Sequence, residues 1–222
     1  MAIQNFEELN ILKRHSEPYE EYFRVMKLPR KALERRIRLA IDMEEAFATF
    51  FEVIMLGVID EVTIKQQLMY DIYDAIGDEQ RFETENQKDK YVTDLVNETY
   101  RSTVENLAKY PNDYDYTGET NYWVSNDRAM FIAEEEANTI SNSQEYVEAK
   151  VQGLTHKIWM DYGDDRVRQT HQEVNGAKIP IGTYFDVGEA RMLYPRDVTS
   201  SLSTGAEHPE EVVRCRCRVI YV

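Results

Sequence analysis

The sequence predicts an α+β fold, in which a helical N-terminal region is followed by a small C-terminal domain with an antiparallel sheet. Glycine supplies the first observation, because residues 1–152 contain three glycines and residues 153–222 contain six. Charge supplies the second: residues 1–150 hold 31 acids and 17 bases, whereas residues 151–222 hold 10 and 9. A glycine-poor helical stretch followed by a turn-rich stretch is typical of this fold class.

The first long helix is predicted between Pro29 and Gly57. Proline is favoured at the first helical position and glycine just after the last one. Between them, apolar side chains recur at spacings of three and four residues, which indicates one continuous amphipathic helix.

The other helices of the N-terminal region are delimited by proline, glycine and capping residues. These signals place them at about residues 60–75, 84–109 and 126–153. Residues 111–125 are rich in turn-forming and aromatic residues, which predicts a loop.

Short strands are predicted in the C-terminal part. Lys157–Met160 is predicted to be a strand, and residues 179–185 a strand or extended segment. Residues 213–222 alternate between two sets of side chains, which predicts a closing strand inside the sheet, with Trp159 in the same core. The outward set is Arg214, Arg216 and Arg218, and the inward set is Cys215, Cys217, Val219 and Tyr221.

Composition excludes several classes of protein. The chain has 222 residues, 42% of them hydrophobic and 30% charged, with a formal net charge of −15. Such a charged chain is not an integral membrane protein, and its acidity argues against duplex-DNA binding by the molecule as a whole. The N-terminus shows no apolar secretory signal and two cysteines are too few for a disulfide framework, so we expect a soluble intracellular protein.

One polar group of residues follows the first predicted strand. The sequence holds no phosphate-binding loop, dinucleotide fingerprint, zinc-protease helix or serine-hydrolase motif. Its remaining dense cluster of acid, base and histidine consists of Asp165, Arg166, Arg168 and His171. Such a cluster can be a buried polar network or a catalytic group, and the simpler alternative is a capped turn whose acid and base pair at the surface.

The two cysteines, Cys215 and Cys217, lie two residues apart. On one strand their α-carbons would be about 6.5 Å apart, which strains a disulfide. Their thiolates can form half of a tetrahedral metal site if His171 and another group converge on them. Alternatively, both are small buried hydrophobic residues of a core.

A basic stretch begins just before the long helix and continues along it. Its members are Lys27, Arg30, Lys31, Arg35, Arg36 and Arg38. It can contact nucleic acid or an acidic partner, or it can be an ordinary solvated helix face. The acidic triplet Glu134–Glu136 is likewise predicted to be solvated helix surface.

An ordered series of short motifs runs through about residues 126–222. The series is Lys157-x-Trp159, Asp165-Arg166-x-Arg168-x-x-His171, Asn175-Gly176, Tyr194-Pro195-x-Asp197 and Cys215-Arg216-Cys217. It resembles the head-morphogenesis domain of tailed bacteriophages, the family of minor head proteins similar to protein F of phage Mu. The resemblance divides the chain into residues 1–125, a helical region for docking partners, and residues 126–222, the head-morphogenesis domain.

The resemblance also bears on metal binding. Many relatives carry C-x-x-C in the segment where this chain has Arg168 and His171, and with the closing C-x-C that looks like a zinc site. Arginine does not ligate metals, so the resemblance implies zinc ligands only at His171, Cys215 and Cys217. A fourth ligand would be Asp165, His208 or water. Alternatively, Arg168 replaces the metal by hydrogen bonding to backbone carbonyls or to Asp165.

The resemblance implies a non-enzymatic minor head protein located in the virion and in the host cytoplasm during assembly. Its partners would be the portal protein, capsid proteins and packaged DNA, and its role would be head assembly and DNA packaging or delivery. DNA would meet the basic stretch or the face of Arg214, Arg216 and Arg218, because the acidic remainder repels it. The alternatives are a toxin-like nuclease or transferase, or a metal-dependent nucleic-acid-binding protein.

Overall fold

The computed structural model describes residues 17–57, 60–77 and 82–222 of the chain. The long helices of the N-terminal region precede the strands, so the predicted α+β fold is confirmed. The N-terminal segment, for which no secretory signal is predicted, lies outside the described residues. The described residues form two compact units: a helical unit of residues 17–22, 34–57, 60–77 and 89–137, and a sheet unit of residues 23–33, 82–88 and 138–222. The proposed sequence division at residue 125 stays a prediction.

Five helices precede the first strand among the described residues. They are α1 (17–24), α2 (Arg30–Leu56), α3 (Glu61–Ile76), α4 (Glu85–Lys109) and α5 (Asn126–Val151). The bounds predicted for the last four are confirmed to within two residues. None of the described helices is long and apolar enough to cross a membrane.

Local sequence signals account for the bounds of α3. The Asp60 carboxylate caps its start by accepting a hydrogen bond of 3.1 Å from the Thr63 amide, and Gly77, with φ +70°, closes its end. Apolar residues four positions apart form its buried face, which is Ile64, Leu68, Ile72 and Ile76. Capping and periodicity therefore agree along this helix.

The prediction that Glu134–Glu136 are solvated is wrong. Glu134 and Glu135 are buried and Glu136 is half-buried, because neighbouring positions on every face of this helix segment are covered as well. The Tyr22 hydroxyl donates to Glu135 at 2.9 Å, and the Tyr91 hydroxyl donates to Glu136. Hydrogen bonds from hydroxyl groups make buried carboxylates tolerable.

The sheet unit contains a three-stranded antiparallel sheet and a separate hairpin. Strand β1 is central in the first, with β2 and β5 on either side, and β3 pairs with β4 in the second. The strands are β1 (His156–Met160), β2 (Lys178–Pro180), β3 (Phe185–Val187), β4 (Ala190–Met192) and β5 (Arg218–Tyr221). Two short helices accompany them, α6 (Gln169–Glu173) and α7 (Pro209–Val212).

The predicted closing strand requires two corrections. It begins at Arg218 instead of residue 213, because Arg214 has φ +58°, a left-handed conformation that a strand does not accommodate. It is also an edge strand, since β1 occupies the centre of the sheet. Burial alternates as predicted as far as Val219, with Cys215, Cys217 and Val219 buried, whereas Tyr221 is half-buried against the same core.

Trp159 lies in the core of the sheet unit, as predicted. It is fully buried, it pairs with Val219 across β1 and β5, and its ring meets that of Phe185 edge-on at 5.2 Å. Cys215 and Cys217 belong to the same buried cluster. The core of this unit is therefore continuous with the cysteine pair.

Candidate metal centre

Three elements of the sheet unit bring the candidate ligands together. Helix α6 carries His171, the segment before β5 carries Cys215 and Cys217, and α7 carries Glu211. All four side chains are buried. Residues about 40 positions apart in the sequence thus lie side by side. The convergence of His171 with the two cysteines was predicted, whereas the presence of Glu211 beside them was not.

The distances from the His171 nitrogen to the two sulfur atoms match those around a single tetrahedral ion. His171 Nδ1 lies 3.3 Å from Cys217 Sγ and 3.5 Å from Cys215 Sγ, and the three ligand atoms lie within 4.8 Å of one another. Tetrahedral zinc, with bonds of about 2.3 Å to sulfur and about 2.0 Å to nitrogen, separates the two atom types by about 3.5 Å. The residues present therefore fit zinc with three protein ligands.

Glu211 orients His171 from the opposite side of the imidazole ring. Its Oε2 lies 3.0 Å from His171 Nε2 and also accepts a hydrogen bond of 2.8 Å from the Thr170 hydroxyl. A carboxylate on the far nitrogen is the usual companion of a metal-binding histidine, because it fixes the tautomer and the ring plane. No pattern in the sequence points to Glu211, because its contact with His171 depends on tertiary packing.

Gly188, in the β3–β4 turn, makes room for that carboxylate. A β-carbon at this position would lie 2.2 Å from Glu211 Oε1, and the glycine has φ +60°. Both the contact and the backbone conformation disfavour any side chain here. The turn is thus part of the support of His171.

Without a metal, the three groups stabilise one thiolate. The Cys217 thiol and His171 donate hydrogen bonds to Cys215 and lower its pKa well below the ordinary value despite burial. The hydrogen bond to Cys215 and burial raise the pKa of Cys217. Burial opposes the His171 cation, but the hydrogen bond and charge of Cys215 outweigh it and raise the pKa of His171. A thiolate is the form that ligates metals.

The other members of the predicted polar network lie away from the centre or beside it. Asp165 and Arg166 are exposed, and it is Asp164 that pairs with Arg216, at 3.3 Å. Arg168 donates to the Val213 carbonyl and so joins the start of α6 to the closing segment. Within the described residues the potential ligand group comprises His171 and the two cysteines.

A cavity of about 20 Å³ adjoins the three ligands. Its volume suits about one water molecule, which is the size of a fourth ligand. The lining includes both cysteines, His171 and four basic side chains: Arg166, Arg168, Arg214 and Arg216. Of the two alternative ligands considered above, His208 pairs with Glu210 at 2.9 Å, and Asp165 is exposed, so water is the fourth ligand that the cavity favours.

Comparison with known proteins assigns the family. The family model described as phage Mu protein F like protein matches residues 97–220, which is more than half of the chain. The chain belongs to the phage Mu protein F-like family. No curated protein and no solved structure matches it. The family is one of phage head morphogenesis, and the match extends further towards the N-terminus than the predicted start at residue 126.

The basic residues of this Mu F-like chain are unequally available for contact. Arg36 is fully buried, which excludes it from the predicted nucleic-acid or partner surface; its place on the inward face of α2 is the reason. Arg35 is half-buried, whereas Lys27, Arg30, Lys31 and Arg38 are exposed. In the closing segment Arg214 is exposed, Arg218 is half-buried, and Arg216 lies over the Tyr162 ring at 4.9 Å.

Proposed function

We propose that this protein is a minor head protein of a tailed phage or prophage, associated with the portal and assisting head assembly and DNA packaging or delivery. The family match over residues 97–220 carries this proposal. The net charge of −15 supports a role through protein docking, since an acidic surface repels packaged DNA. DNA contact would then fall to exposed bases such as Lys31, Arg38 and Arg214.

The experiment is co-expression of the chain with the portal and major capsid proteins of the same phage. We expect it to cosediment with assembled heads and to copurify with the portal protein. Sedimentation apart from both would overturn the proposal. Nuclease activity of the pure chain that His171→Ala abolishes would favour the enzyme alternative instead.

We further propose that His171, Cys215 and Cys217 hold a structural zinc ion. Bound there, zinc would cross-link α6 to the closing segment, which no backbone ladder joins to a neighbouring strand before residue 218. The tetrahedral fit, the buried carboxylate on His171 and the single-water cavity support this proposal. Small sheet domains commonly gain their stability from such a cross-link.

Elemental analysis and thermal melting test the zinc site. We expect about one zinc per chain, lost in Cys217→Ser, and a lower melting temperature after chelation. His208→Ala is the matched control, because His208 lies outside the ligand group and should leave both values unchanged. If the purified chain contains no metal and chelators do not change its melting temperature, the zinc proposal is wrong. The hydrogen bond from Arg168 to the Val213 carbonyl would then be the cross-link between α6 and the closing segment.

DNA binding is tested by a titration over a range of salt concentrations. For the metal-dependent nucleic-acid alternative, affinity should fall steeply with salt and depend on zinc. Weak binding that is unaffected by zinc removal would reject that alternative and leave the head-protein proposal standing.

A further inference from the structure

An exposed aromatic hairpin projects from the helical unit between α4 and α5. We define the aromatic hairpin as residues 110–123, where Tyr114 and Asn121 form an antiparallel bridge. Tyr116 is 88% exposed and Tyr114 is 52% exposed. Large aromatic side chains in this state are usual at protein interfaces, where their burial gives much of the binding energy.

The tip of the aromatic hairpin is held by one carboxylate. Asp115 Oδ1 accepts hydrogen bonds from the Thr117 hydroxyl at 2.7 Å and from the Gly118 amide at 3.1 Å. The Asp115 amide in turn donates to the Thr120 carbonyl at 2.8 Å. The tyrosines are therefore carried by an ordered turn, so that docking would cost little backbone entropy.

The base of the aromatic hairpin is anchored on a buried cation. Trp123 Nε1 donates to Asp113 at 3.0 Å, and the Arg128 guanidinium lies 4.8 Å from the centre of the Trp123 ring. Arg128 also donates to the Thr103 hydroxyl at 2.7 Å. Burial lowers the pKa of Arg128 to about 10, so the anchor stays charged at neutral pH.

The charge of the aromatic hairpin selects the chemistry of its partner. Residues 110–123 contain three acids and no base, and two of the acids, Asp113 and Glu119, are exposed. An open cleft of about 740 Å³ at the base of the aromatic hairpin is lined by Tyr110, Pro111, Asp113 and Trp123 together with Lys109 of α4. A second copy of the chain is disfavoured, since both copies would carry a net charge of −15.

We propose that the aromatic hairpin is a docking element for a basic face of another head protein. The exposed rings of Tyr114 and Tyr116 are buried against that face, and the exposed carboxylates of Asp113 and Glu119 meet its lysine or arginine side chains. This inference deepens the head-protein function proposed above and depends on it.

The test measures binding of the full chain to the purified portal and major capsid proteins of the same phage. The double variant Tyr114→Ser/Tyr116→Ser should weaken the complex by about tenfold or more, because aromatic anchors dominate interface energetics. The variant Tyr114→Phe/Tyr116→Phe keeps the rings and should bind almost normally. Tyr70→Ser is the matched control: Tyr70 is 68% exposed on α3, outside the aromatic hairpin.

Each outcome decides the matter. If the serine double variant keeps its circular-dichroism melt and binds as tightly as the unmodified chain, the inference is overturned and the head-protein function stands. If the unmodified chain binds neither partner, the proposed function fails and the inference with it. Self-association by light scattering that the double variant abolishes would identify a second copy as the occupant and overturn the choice of a basic partner.

Discussion

The two compact units bury their charged groups in different ways. In the helical unit, side chain meets side chain: the Tyr19 hydroxyl donates to Glu44 at 2.6 Å, much as Tyr22 does to Glu135. In the sheet unit, the pair of His171 and Glu211 also joins side chain to side chain, but other buried charges bind the backbone: Lys157 donates to the Leu193 carbonyl at 2.6 Å. Helices satisfy their own backbone groups, whereas a unit of short strands leaves loop amides and carbonyls that need partners.

In the loops of the sheet unit, buried polar side chains bind backbone groups that no neighbouring strand pairs. Asn138 donates to the Cys215 carbonyl at 3.1 Å, and Asn142 to the Pro195 carbonyl at 2.8 Å. Arg196 donates to the Val212 carbonyl at 2.7 Å. Polar side chains in this unit therefore satisfy backbone carbonyls that would be paired with a neighbouring strand in a larger sheet.

Asp197→Ala tests the backbone-binding mode and should have the largest effect. The buried Asp197 carboxylate accepts from the amides of Leu193 at 2.9 Å and Ser200 at 3.0 Å. Leaving these amides without acceptors should lower the free energy of unfolding by about 3 to 4 kcal/mol. Denaturant unfolding measures it, and Asp186→Ala, at an exposed carboxylate, should change it by less than about 0.5 kcal/mol. Equal losses in the two variants would show that backbone binding is unimportant here.

Arg128→Leu tests the buried cation of the helical unit, which binds both a side chain and a backbone carbonyl. The change leaves the Thr103 hydroxyl and the Trp123 carbonyl without their donor, and should cost about 2 to 3 kcal/mol. Hydrogen exchange should rise in the helical unit alone. The control is Arg101→Leu, since the ion pairs of Arg101 are exposed and contribute at most about 1 kcal/mol. Faster exchange spread evenly over both units would contradict a local role.

Lys157 makes the stability of the sheet unit depend on pH. Burial lowers its pKa to about 7, although the charges of Asp197 and Glu83 oppose the shift. Between pH 7 and its unfolded pKa near 10.5, the unfolded chain binds more protons, so stability rises with pH. From pH 7 to 9 the rise attributable to Lys157 should be about 2 kcal/mol.

The variant Lys157→Met removes this titration while keeping a side chain of similar length. We expect unfolding titrations of the variant to lack the rise seen in the unmodified chain over that range. If the difference in the free energy of unfolding between the two proteins did not change with pH, Lys157 would have to be hydrated in solution.

Tyr91→Phe should have the smallest effect. It removes one hydroxyl that donates to the half-buried Glu136, so about 1 kcal/mol should be lost. Tyr70→Phe, at an exposed ring, should be neutral in the same melts. If both variants melted alike, the tyrosine–carboxylate pairs would be dispensable to the helical unit.

The sequence was sufficient for features that depend on local signals. Pro29 and Gly57 mark the ends of α2 because proline and glycine act through their own backbone geometry. Trp159, Cys215 and Cys217 lie in one core, as predicted. The prediction holds because every second side chain is buried from residue 215 onwards, although the strand itself begins only at Arg218. His171 is identified from its place in the cluster with Asp165, Arg166 and Arg168, and the family resemblance adds the expectation that it ligates zinc.

Features that depend on distant packing were not predicted. Glu134 and Glu135 belong to an acidic triplet that is indistinguishable in the sequence from solvated surface, and only the tyrosines of other helices show otherwise. Arg36 was counted in a basic stretch although its position on α2 faces inward. Glu211 gave no signal, since its partner lies 40 residues earlier.

The candidate centre also depends on Gly188, although the β3–β4 turn contributes no candidate ligand. Any bulkier residue there would push the Glu211 carboxylate aside, and the imidazole of His171 would be free to rotate and lose its alignment with the sulfur atoms. Gly188→Ala would thus weaken the proposed zinc site while leaving its three proposed ligands in place.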